Sequence, residues 1–83
     1  MRLNDFHIRG GSAIGINLDE DECLNLCLMM PSCLSIDYNL GDRSCWAHDI
    51  ETYCSAAEEQ EGTVHYRRLP CLDAGVLRNA QPV

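Results

Sequence analysis

Lysine is absent from this 83-residue chain, whose six basic residues are all arginines facing thirteen aspartates and glutamates. A formal charge of −7 repels phosphate backbones. Nucleic-acid binding shows the opposite, basic footprint, so no nucleic-acid partner is expected. No apolar run approaches the roughly 20 residues that a membrane span needs. The opening MRLNDFHIRGG carries charge where a secretory leader has its apolar core. N-x-[ST] is missing, so no N-glycan is expected. Phosphate-binding glycine loops and solenoid-type internal repeats are missing as well. GGSAIG falls short of a nucleophile elbow because Ile14 stands at its second glycine. It reads instead as a bend in an N-terminal strand. No catalytic site assembles and no cofactor is implied, so the expectation is a protein that is not an enzyme.

What is present in quantity is cysteine: Cys23, Cys27, Cys33, Cys45, Cys54 and Cys71. A chain this short hides only about 60% of its unfolded surface on folding, and small domains commonly add disulfides or a metal. Six thiols allow fifteen pairings, so counting leaves connectivity open. If the cysteines mark an oxidising compartment, the chain is a mature or excised domain, secreted or extracellular.

Residues 4–18 hold apolar positions spaced by glycines, which suggests one or two short extended pieces with a kink at Gly10-Gly11. Asp19 then fits a helix N-cap, with Glu22 at capping-box spacing. The acidic residues at 19–22 suit the positive end of the helix dipole. They lack the alternating oxygen ligands and the glycine of a calcium loop. Pro31 ends the helix near Met29 or Met30. From Cys33 the period changes to two: Leu34, Ile36 and Tyr38 alternate with Ser35, Asp37 and Asn39, a half-buried strand. NLGDRS is a turn, SCWAHDI a returning strand and TVHYRRL a third. The acidic ETYCSAAEEQEG between them is expected as a surface loop or short helix. Residues 72–83 read as a tail or linker after a single domain spanning 1–71.

In CLNLCLMMPSC, residues 23–33, two cysteines lie four apart on one helix face. Zinc would take Cys23, Cys27 and two of Cys33, Cys45, His48 or His65. The second close pair typical of structural zinc is missing, since the later gaps are five, eleven, eight and sixteen residues. A reactive Cys23 would be opposed by the carboxylates of Asp19, Glu20, Asp21 and Glu22, which raise a thiol pKa. Disulfide staples are the reading left, and each contributes roughly 2–4 kcal/mol.

The stretch DECLNLCLMMPSCLSIDYNLGDRSCWAHD, with HYRR as a late strand, resembles the PAN/apple superfamily. The shared features are a helix with C-x₃-C, a cysteine opening a strand, and C-W on the returning strand of a hairpin. The resemblance implies an α+β fold, a single helix packed on a small curved antiparallel sheet. It also implies Cys23–Cys45 and Cys27–Cys33 bridges, the pairing that the helix spacing suggests too. Cys54–Cys71 follows only by elimination, because the chain has no cysteine before Cys23 to make the end-joining bridge of apple domains. Leu24, Leu28, Leu34, Ile36, Trp46, Val64 and Tyr66 are the candidate core.

The function implied is a binding module for an extracellular protein within a larger secreted or matrix protein, the alternative being a carbohydrate-binding, lectin-like module. A partner drawn electrostatically should be basic. Arg67 and Arg68, adjacent on a strand, point to opposite faces, which argues against heparin. Asp37, Tyr38, Asn39, Trp46 and His48 are the concentrated candidates for a neutral-sugar site. Exposure of Trp46 discriminates: a buried indole favours protein interaction, an exposed one a sugar platform. Oligomeric state is not legible.

Overall fold

Asp19 accepts the Glu22 amide at 2.8 Å while Glu22 accepts the Asp19 amide at 2.8 Å, closing the expected capping box. Helix α1 (Glu20–Met29) follows. The computed structural model describes residues 2–68. No basic residue lies in the last turn of α1. Arg68 supplies the cation from elsewhere, donating to the carbonyls of Cys33, Met30 and Cys27 at 2.9, 3.3 and 3.4 Å. It thus sits at the negative end of the helix dipole.

Five strands make the other layer: β1 (Arg2–His7), β2 (Ser12–Gly15), β3 (Ser35–Asn39), β4 (Cys45–His48) and β5 (Glu58–Arg67). Their order is β1-β5-β3-β4-β2, and every neighbouring pair is antiparallel. The fold is the expected α+β arrangement, one helix on an antiparallel sheet. Between helix and sheet lies a core of Cys23, Cys27, Cys33, Ile36, Tyr38 and Cys45, flanked by Ile14, Leu18, Leu24, Met30, Ala47 and Tyr66. Val64 is buried as well. Cys23–Cys45 ties helix to sheet across 5.6 Å between Cα atoms, and Cys27–Cys33 ties the helix end to the start of β3 across 5.2 Å. Cys54 is also disulfide-bonded; Cys71, its expected partner, lies outside the described residues, as does the expected tail.

Four expectations need correction. Leu28 is 61% exposed, because α1 buries only the stripe through Cys23 and Cys27 and the next residue turns about 100° away. Trp46 is 41% exposed, because Cys45 faces the helix and strand alternation sends the indole to the opposite face. Leu34 is only partly buried. The acidic segment is not all loop: Glu58–Gly62 is the first half of β5, with Glu58 opposite His7 and Glu59 opposite Phe6. Ladder hydrogen bonds with β1 there override a composition that resembles a loop.

A second surprise lies on β3. Ser35 and Asp37, expected to face water, are buried. The cause is topological. β1 and β2 form opposite edges of the sheet, yet only residues 8–11 join them. Four strand spacings of about 4.8 Å make a flat sheet ~19 Å wide. Five residue steps reach roughly 17 Å at full extension. The sheet must therefore curl, and the link must run as a strap across the face away from the helix. Gly11 makes the close approach possible, since a Cβ there would sit 3.1 Å from the His48 ring and 3.3 Å from the Trp46 Cβ. Gly10 adopts φ +95°, a region that L side chains disfavour.

Candidate binding site

The strap divides the back face of the sheet into a closed part and an open part. Beneath it, Asp37 accepts the Ile8 amide at 3.1 Å on Oδ2. The same oxygen meets His48 Nε2 at 2.7 Å, and Oδ1 meets His65 Nδ1 at 2.7 Å. An ionised carboxylate only accepts, so both facing ring nitrogens carry hydrogen. Neighbouring strands bring the three together: Asp37 on β3 stands opposite His65 on β5, and His48 lies on β4. Both imidazole side chains are fully buried. Burial by itself would push Asp37 up. The hydrogen bonds from His48, His65 and Ile8 outweigh it and hold the carboxyl below its usual range.

Thr52 Oγ1 lies 3.0 Å from the far nitrogen of His48. Thr52, His48 and Asp37 thus have the order of a nucleophilic triad. The buried imidazole gives a substrate no approach. The amides of Thr52 and Tyr53 are already donated to the Asp49 carbonyl at 3.2 and 2.9 Å, rather than held for an oxyanion. The series is a structural network.

Beyond the strap the back face opens into a groove of about 410 Å³. Its floor and walls include Trp46, Asn39, Asp37, Asp42, Ser44 and Gln60, with the strap along one side. Trp46 stands directly opposite Asp37 in the β3–β4 ladder, so indole and carboxylate share one row. The indole is anchored: Trp46 Nε1 donates to Ser44 Oγ at 3.0 Å, and Ser44 Oγ donates to Asp42 at 2.5 Å. Asn39 Oδ1 accepts the amides of Gly41 and Asp42 at 2.8 and 3.1 Å and shapes the hairpin that carries them. A half-exposed aromatic face with fixed carboxylate and amide groups around it suits a ligand having both apolar and hydroxyl surfaces.

Of the five residues singled out from the sequence, Asp37, Asn39 and Trp46 line this groove. Tyr38 faces the helix side, where its hydroxyl donates to the Leu18 carbonyl at 2.5 Å. His48 sits behind Asp37. Sequence reasoning missed Asp42, Ser44, Gln60 and the strap. Asp42 and Ser44 were within reach, because they flank the turn just before Trp46. Gln60 and the strap were not, because strand order alone brings them there.

A family model described as the PAN domain matches residues 1–71 of the chain. No curated protein and no solved structure matches it.

Proposed function

The chain belongs to the PAN domain family, whose members bind proteins or carbohydrates, and from that premise we propose that it is a secreted or extracellular carbohydrate-binding module whose groove takes a neutral sugar. The observation that carries this reading is Trp46, 41% exposed and held by Ser44 beside Asp42, Asn39 and Gln60. A large aromatic in so small a domain would ordinarily fill the core. Here it forms the wall of a groove whose volume, about 410 Å³, lies within the range of small-ligand pockets. The groove's own charges, Asp37 and Asp42 against an Arg9 already engaged by Glu58 at 2.8 Å, disfavour anionic sugars.

The experiment is a glycan array followed by fluorescence titration of Trp46, the only tryptophan. Neutral oligosaccharides should shift its emission, and Trp46→Ala should abolish binding with little loss of stability. A blank array, or binding that survives Trp46→Ala, would remove the reading. A protein partner is the second reading, favoured by the acidic first half of β5 and the exposed Leu28 and Met29. Protection of backbone amides away from the groove on adding such a partner would favour it.

A further inference from the structure

The Asp37 cluster fixes the strap through one hydrogen bond, from the Ile8 amide. Its two imidazoles differ in where an added proton can go. His48 has Thr52 Oγ1 at 3.0 Å from its outer nitrogen, an oxygen able to accept. His65 Nε2 is buried and has no hydrogen-bond partner among the described residues. One imidazolium beside one carboxylate is neutral as a set, and the geometry offers that proton a place on His48. A second proton makes the buried set net positive. It also puts an N–H of His65 against no acceptor, a costly combination away from water.

The groups around the cluster do not relieve this. Arg67 lies on the same face of β5 as His65, and a guanidinium offers no acceptor. His7 and Arg9, flanking Ile8, are both engaged with Glu58, at 3.5 and 2.8 Å. Asp49 and Glu51 lie on the turn behind His48, where Asp49 Oδ1 already accepts the Glu51 amide. Asp42, at the groove rim, is held by Ser44.

We propose that residues 8–11 are an acid-released strap: a second proton on the His48–Asp37–His65 set frees the Ile8 amide and opens the side of the groove that the strap lines. Because Ile8, Arg9, Gly10 and Gly11 also line the groove, release alters the ligand site itself. That consequence rests on the groove being the ligand site, whereas the latch does not.

Amide hydrogen exchange of the whole chain, corrected for intrinsic rates, tests it between about pH 7.5 and about pH 5, where imidazoles titrate. If the open state binds one more proton, protection of the Ile8 amide falls about tenfold per pH unit at the acid end. The Tyr38 amide in the central strand should hold its protection. His65→Gln keeps a donor toward Asp37 but takes no proton, so it should flatten the Ile8 response. A flat response in the native chain, or an unchanged slope in His65→Gln, overturns the proposal. Should that variant not fold, nitrogen shifts of the native imidazoles serve instead. Two successive titrations, with loss of Ile8 protection following the second, are expected; no titration of either ring overturns it. Glycan binding followed over the same range separates the two readings. Sugar binding with an unresponsive strap removes the latch alone, and a responsive strap without sugar binding removes the glycan reading alone.

Discussion

Asp37 accepts three hydrogen bonds while almost wholly buried, which makes the position sensitive to substitution. Asp37→Asn offers an amide NH₂ where an imidazole N–H already points, and removes the charge that both rings face. We expect a loss of about 3 kcal/mol in thermal or denaturant unfolding, the scale for breaking a buried charged network. The folded carboxyl lies below its ordinary range. Its stabilisation is therefore fully present above the unfolded value near ~3.9 and is lost as pH falls through the folded value. The variant's unfolding free energy should consequently change less with acid in that window than the native chain's. Trp46 is the contrasting case. Trp46→Ala should move stability by no more than about 1 kcal/mol, because the ring is half in water. A much larger fall would mean that the indole holds the fold rather than a ligand.

Helix α1 has ten residues and buries only two of them fully, both half-cystines. Its attachment to the sheet therefore depends on sulfur more than on an apolar face. The two bridges span 22 and 6 residues in sequence. Chain-entropy reasoning assigns about 3.4 kcal/mol to the longer and about 2.2 kcal/mol to the shorter. All four sulfurs are buried, so the packing losses on replacement are similar. Replacing Cys23 and Cys45 together by alanine should thus lower stability by about 1 kcal/mol more than replacing Cys27 and Cys33. Thermal unfolding of the two double variants decides it, and equal or reversed losses would contradict the assigned roles. Helix docking is aided at both ends by charge, from the Asp19–Glu22 capping box and from Arg68.

The whole chain carries −7, and β5 concentrates part of that charge at Glu58, Glu59 and Glu61, all exposed. Opposite charges steer encounter, an effect that fades with ionic strength. For a basic protein partner, replacing these three glutamates by glutamine should slow association and flatten its salt dependence. Dissociation should change little. Stopped-flow or surface-binding kinetics at low and moderate salt would show it. Unchanged rates would leave the cluster as solvation, with Glu58 tying β5 to the strap through Arg9. Neutral-sugar binding in the groove should be indifferent to ionic strength, because the ligand carries no charge, which keeps the two readings apart.

Local chemistry sufficed for whatever depends on neighbours in sequence. The capping box needs only Asp19 and Glu22, the helix stop needs Pro31, and the alternation of Ile36 and Tyr38 needs only a pleat. The cysteine pattern carried the family resemblance for the same reason: i, i+4 on a helix and a return on a hairpin are short-range geometry. Tertiary structure alone decided which face of β3 is dry. Alternation tells that Asp37 opposes Tyr38, but not that a four-residue link must cross behind it. That follows from β1 and β2 occupying opposite edges, a long-range fact. The same crossing buries His48 and His65 on one carboxylate and leaves Trp46 at the margin, half in water. Composition placed the indole in the core; the strap's limited reach kept it out.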